Sequence, residues 1–168
     1  CLFTVNHEGI AVCLFAEGER LDSAVYTYKS ALVAESFKIF KPHSHRTDFL
    51  CLISVHQNYY GDRVYRGAQV FYAPGNRSGE ALAKSTRQSI AHATGEEKPR
   101  EAMAIPNGNY LLENLACPAI IIECGFLSHP EEEMLLNSPE YRARLAFAVA
   151  AEALNCVTVG IDPGAAQN

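Results

Sequence analysis

A chain of 168 residues, 48% hydrophobic and 20% charged, has room for one domain with a sizeable core and little more. Its net charge of −5 lacks the basic excess on which nucleic-acid binding rests, so no nucleic-acid partner is expected. No apolar run approaches the roughly 18 residues of a membrane-spanning helix, and the apolar stretch from Ala116 to Phe126 is short, contains Pro118 and carries Glu123.

Residues Ile10 to Phe15 form a short apolar run that predicts a strand. From Leu21 to Phe40 the spacing of Leu21, Val25, Tyr28, Leu32 and Val33 follows a helical face, with Asp22 near its start. The polar stretch from Lys41 to Asp48 holds a proline and predicts a loop. Phe49 to Val55 is apolar without a period, the pattern of a strand buried on both faces. Asn58 to Arg66 reads as loop, and Gly67 to Tyr72 as a strand stopped by Pro74 and Gly75. Ser78 to Ala93 predicts a helix capped by Ser78, with Leu82, Ser85, Ser89 and Ile90 on one side. Asn109 to Leu112 predicts a short extended piece, and Pro118 to Glu123 a buried, β-branched strand. Pro130 opens an acidic segment, Pro139 to Leu154 predicts an alanine-rich helix, and residues 159–168 a disordered tail.

Strands alternating with helices predict an α/β fold: a single domain over residues 1–158, its mostly parallel twisted sheet covered by helices on both faces. Chemistry in such sheets gathers at the carboxyl ends of the strands. Two polar groups stand there, His56 after the run ending in Val55 and Glu123 after Pro118–Ile122. A lone histidine after a strand is more often a hydrogen-bonded structural residue than a ligand. A carboxylate at the end of an apolar strand is harder to explain that way, because burying it is costly unless it is paired or bound to metal. None of the six cysteines forms a C-x-x-C pair, and four sit in apolar surroundings, so a reduced, unbridged set is expected. The chain begins at Cys1, as a fragment would and as a processed lipoprotein also would, and it shows no signal peptide.

At this point the residues become recognisable. Ile53-Ser-Val-His-Gln-Asn58 resembles the S-x-H-x-N motif of the zinc N-acetylmuramoyl-L-alanine amidases (type 3), whose fold is of the phosphorylase/hydrolase-like kind. Gly67-Ala-Gln-Val-Phe-Tyr72 is similar to that family's G-x-E/Q strand, and Asn109-Tyr-Leu-Leu112 to its Y-V/L-L segment. Cys117-Pro-Ala-Ile-Ile-Ile-Glu-Cys-Gly-Phe-Leu-Ser128 resembles its P-A-I-L-V-E-x-G-F-L-S motif, and Pro130-Glu-Glu-Glu133 with Leu135 and Leu136 also fits. The likeness runs from Phe49 to Leu154. Arg100-Glu-Ala-Met-Ala-Ile105 looks most like the germination-specific amidases of the spore cortex.

The resemblance implies hydrolysis of the amide between N-acetylmuramic acid and L-alanine in peptidoglycan, with zinc as cofactor. His56 would be a zinc ligand and Glu123 the catalytic carboxylate, with Arg100 positioning substrate and Asn58 lining the cleft. Zinc held by three protein ligands with one open position lowers the pKa of water to about 7. Peptidoglycan and muropeptides are the implied partners, at the cell wall or in the forespore cortex. A monomer is expected, with an activating protein as a further partner.

Residues 1–48 match that pattern poorly. The family's two other zinc ligands come from this part of the chain, a histidine after the first strand and a glutamate before the next helix. His7 and Glu19 stand in that order, with Glu17 an equal fallback and His43 and His45 alternatives. Either the segment is a diverged or shortened version, or a shifted upstream coding region has replaced family sequence there. The alternative to an active amidase is an inactive relative that binds peptidoglycan or a partner protein. A zinc exopeptidase on a similar sheet would need further acidic and histidine ligands. His129 reads as a turn residue and His92 as a surface residue of its helix.

Overall fold

The structure is a computed structural model that describes residues 2–7, 10–16, 51–106, 109–115 and 117–158. The helix predicted over residues 21–40, the loop at 41–48 and the tail at 159–168 lie outside the described residues. The strands are β1 (Leu2–His7), β2 (Ile10–Ala16), β3 (Leu52–Asn58), β4 (Gln69–Tyr72), β5 (Met103–Ala104) and β6 (Ala119–Phe126). The helices are α1 (Arg77–Thr94), α2 (Tyr110–Glu113), α3 (Pro130–Asn137) and α4 (Pro139–Thr158).

One six-stranded sheet runs in the order β1-β2-β3-β6-β4-β5. β2, β3 and β6 are parallel neighbours, and β5 runs parallel to β4. β4 is antiparallel to β6, and β1 antiparallel to β2, so the sheet is mixed but mostly parallel, as expected. The run Ile120–Ile122 explains the central place of β6: β-branched side chains suit a pleated strand, and these are buried on both of its faces.

The two faces are unequal. Ile53, Val70, Ile120 and Ile122 pack with Leu82 and Ile90 of α1, Leu136 of α3, and Leu145 and Val149 of α4. Each such side chain, fully buried, contributes about 1.5–3 kcal/mol. On the other face a smaller cluster joins Leu52, Ala119 and Ile121 with Ala73 and with Leu112 of α2. Beyond that cluster the same face turns polar toward the carboxyl ends of β3 and β6, and the site lies there.

Several boundaries differ from the expectations. β3 begins at Leu52 and runs through Asn58, so His56 lies within the strand instead of after it, and Glu123 likewise lies within β6. Inter-strand hydrogen bonds carry both strands past the point where their apolar patterns end. α1 is capped by Asn76, not Ser78: its Oδ1 accepts from Gly79 N at 2.7 Å while its Nδ2 donates to Cys117 O at 3.0 Å. An asparagine that binds both the helix start and the neighbouring strand entry outcompetes a serine two residues later. The buried stripe of α1 is Leu82, Ala83, Thr86, Arg87, Ile90 and Ala91, and Ser89 instead donates to Glu152 Oε1 of α4 at 2.5 Å. Asn109–Leu112 is a helical turn in place of an extended piece, because Asn109 Oδ1 accepts from Leu112 N at 3.1 Å. Cys51, Cys124 and Cys156 are free thiols.

Candidate active site

Parallel pairing of β3 with β6 sets His56 directly opposite Glu123. Antiparallel pairing of β6 with β4 sets Glu123 opposite Gln69. Cross-strand partners share a face, so His56, Glu123 and Gln69 form a row across three adjacent strands. Ser54 and Asn58 flank His56 on the same face, two residues to either side. Neither Gln69 nor Ser54 stood out in the sequence as a site residue; period-2 alternation from His56 points to Ser54, whereas no local signal pairs Gln69 with Glu123.

Burial sets the chemistry of the row. Glu123 is half-buried, its Oε2 has no hydrogen-bond partner, and desolvation pushes its carboxyl up to about 7. Desolvation also pulls the His56 imidazole below its ordinary value, favouring the neutral ring that ligates metals. Ser54 Oγ lies 2.6 Å from His56 Nε2 and fixes the ring. Asn58 Nδ2 donates to Gln69 Oε1 at 3.1 Å, which ties the end of β3 to the start of β4.

The turns that follow these strands are tied to one another. Leu127 N donates to Asn58 O at 2.8 Å, and Tyr60 N to Ser128 Oγ at 3.2 Å. Arg100 donates from Nε to Arg66 O at 3.0 Å and lies over the rings of Tyr65 and Phe126, 5.9 and 5.6 Å from their centroids. Glu132, buried in the first turn of α3, accepts from Gly67 N at 2.7 Å and from Phe126 N at 2.8 Å, holding the entry to β4 against the end of β6. His129 is the N-cap residue of α3 without a side-chain cap bond, and His92 is exposed on α1. Two cavities among the described residues lie away from the row. One of about 410 Å³ is lined by Ala73, Asn76, Leu112 and Leu115, and one of about 150 Å³ by Lys84, Arg87 and Arg100.

The sequence model of the family described as N-acetylmuramoyl-L-alanine amidase matches residues 19–155. The chain belongs to this family. The germination-specific N-acetylmuramoyl-L-alanine amidase of Bacillus subtilis (strain 168) is 34% identical over 111 residues, 66% of this chain and 46% of that protein. The chain thus spans about half the length of the curated relative it matches. Among solved structures, the CwlD amidase from Clostridioides difficile, in complex with the GerS lipoprotein, is similar at a TM-score of 0.64 and 25% identity, over 82% of this chain and 67% of that one. An N-acetylmuramoyl-L-alanine amidase from Clostridium difficile 630 is similar at a TM-score of 0.59 and 25% identity, over 76% and 63% of the two chains.

The amidase match begins at Glu19 and so takes in residues 19–48, which the motifs did not reach. β2 ends at Ala16, level with Val55, at the His56 end of the sheet. Glu17 and Glu19 follow in sequence and, like His43 and His45, lie outside the described residues. His7 is different. Its backbone closes β1 opposite Ile10, three residues before the pairing of Cys13 with Leu52, whereas His56 lies four residues after it. At ~3.3 Å per residue the two levels are roughly 23 Å apart along the strands. The register therefore does not bring His7 to His56, because an antiparallel hairpin returns β1 to the opposite end of the sheet.

A zinc ion suits what the row offers: a neutral imidazole already oriented by a hydroxyl, beside a carboxylate with an unpartnered buried oxygen. Among the described residues no group of three or more His, Cys, Asp or Glu stands ready to complete the ligand set. The described residues fit one ligand and the neighbouring base of such a site.

Proposed function

We propose that the chain hydrolyses the amide joining the lactyl carboxyl of N-acetylmuramic acid to L-alanine in peptidoglycan, with zinc as cofactor. The observation that carries this is the cross-strand pairing of His56 with Glu123, whose carboxyl is raised to about 7 and whose Oε2 has no partner. His56 holds the metal together with Glu19, and His43 and His45 are the imidazole candidates for a third donor. Zinc supplies a Lewis acid that makes water acidic near neutral pH and polarises the scissile carbonyl.

Glu123 takes a proton from the attacking water. The tetrahedral carbon then expels the L-alanine amine, and Glu123 returns the proton to that nitrogen. Burial with no hydrogen-bond partner for Oε2 leaves this carboxyl able to take up a proton and to return it. Asn58, held by Gln69, lines the cleft, and Arg100 positions substrate. The names of its relatives support a cell-wall setting and a spore-cortex substrate, and the GerS complex of one relative supports a protein partner.

The test is incubation of the zinc-loaded protein with purified cortex peptidoglycan, reading release of L-alanine amino termini, beside elemental zinc analysis. About one zinc per chain and peptide release are expected, both lost in His56→Ala. A second reading, an inactive relative that binds peptidoglycan without cleaving it, draws on the incomplete donor set among the described residues. Absence of zinc after reconstitution, with no release, decides for it.

A further inference from the structure

The connection from β3 to β4, residues 59–66, exposes more aromatic surface than a turn needs. Tyr60 is 54% exposed and Val64 72% exposed, with Tyr65 39% exposed beside them. Large exposed apolar groups clustered in one loop mark a binding surface. These are held rigidly. Tyr60 and Tyr65 meet edge to face at 4.7 Å between ring centroids, and Tyr65 lies 6.2 Å from the Phe126 ring. Arg100 covers Tyr65 and Phe126 and binds the backbone of Arg66. The Tyr60 backbone is pinned to Ser128, and Asp62 Oδ1 accepts from Val64 N at 3.1 Å to close the loop tip.

We propose that this loop is a binding platform for the glycan strand, with the exposed Tyr60 ring as its stacking face, Tyr65 as the ring that props it and Arg100 as its flanking donor. The proposal rests on the amidase reading of the His56–Glu123 row. A pyranose presents a face of polarised C–H groups that matches the negative face of an aromatic ring, while its edge carries hydroxyl and acetamido groups. Tyrosine hydroxyls and a guanidinium meet such edges. A purely apolar partner surface would leave those polar groups unmatched. Position agrees with this occupant. The loop leaves β3 directly after Asn58, two residues beyond His56, and is tied at Ser128 to the turn after β6. The loop thus follows the strand that carries His56, and the proposal assigns it the glycan side of the bond to be cut.

The experiment titrates the full chain with peptide-free glycan strands of alternating N-acetylglucosamine and N-acetylmuramic acid, by calorimetry, for wild type, Tyr60→Ala, Tyr65→Ala and Tyr65→Phe. Wild type should bind, each alanine variant should bind about tenfold more weakly, and Tyr65→Phe should retain affinity because the ring, not its hydroxyl, props Tyr60. Circular dichroism confirms that the variants fold, and a glutathione-linked stem peptide run in parallel detects recognition through peptide alone. Failure of wild type to bind strands, or unchanged binding by both alanine variants, overturns the platform. Cleavage of peptidoglycan is scored separately. Strand binding lost in the alanine variants without any cleavage by wild type sinks only the amidase reading, whereas cleavage with tyrosine-independent strand binding sinks only the platform.

Discussion

His56 of β3 and Glu123 of β6 face each other as register partners on neighbouring parallel strands. Their separation is fixed by the sheet, which deforms little, so their roles are separable by mutation. Glu123→Gln keeps the shape and removes the proton acceptor. Turnover of muropeptide should fall about 10²–10⁴-fold with zinc content unchanged, whereas His56→Ala should lose both. Equal zinc loss in the two variants would mean that Glu123 serves as a ligand and not as the base.

Burial of Glu123 also makes the metal-free protein sensitive to pH. Its folded carboxyl titrates near 7, above the unfolded value of 4.5, so between those values the folded state binds the extra proton. Stability therefore falls as pH rises from about 4.5 to 7. His56, lowered in the folded state, acts in the opposite sense below its ordinary value. Comparing melting temperatures of wild type and Glu123→Gln at pH 5 and pH 7.5, with chelator present, isolates the carboxylate. The variant should gain on wild type at the higher pH, and a constant difference would contradict the buried, unpaired carboxylate.

Much of this arrangement was legible in the sequence. The runs ending at Val55 and Ile122 announced β3 and β6, and their polar successors announced the site. The row itself was not legible, because pairing of Gln69 with Glu123 depends on β4 running antiparallel to β6. Local pattern carries no information about strand direction. His7 shows the same limit: its order along the chain suited a ligand, but antiparallel pairing of β1 with β2 sets it toward the other end of the sheet. Glu132 was hidden among three consecutive glutamates, and only the fold selects the one that is buried.

That selection yields a stability prediction. Glu132 receives two backbone N–H groups, from Gly67 and Phe126, with no room left beside Gly125, where an added Cβ would lie 3.2 Å from Glu132 Oε2. Glu132→Ala strands both donors and should cost about 3 kcal/mol in urea unfolding, while Glu131→Ala, which loses only an exposed pair with Arg66, should cost under about 1 kcal/mol. Similar costs for the two would show that the buried carboxylate does not clamp β4 to β6.

Gln69 offers the sharpest test of the row, because one substitution changes its charge and another its tether. Its Oε1 accepts from Asn58 while its Cβ stands opposite that of Glu123, at the roughly 5 Å of cross-strand partners. Gln69→Glu keeps an acceptor for Asn58 and places a second carboxylate beside the first. Like charges at that distance disfavour ionisation, so the Glu123 carboxyl should rise further, and the acid limb of the kcat/KM profile should move up by about one pH unit. Gln69→Leu adds no charge and releases Asn58. Its acid limb should stay in place while KM rises several-fold, because the cleft wall loses its anchor. An unmoved acid limb in Gln69→Glu would separate Gln69 from Glu123 and break the row at β4, leaving His56 and Glu123 as a pair whose third neighbour lies elsewhere.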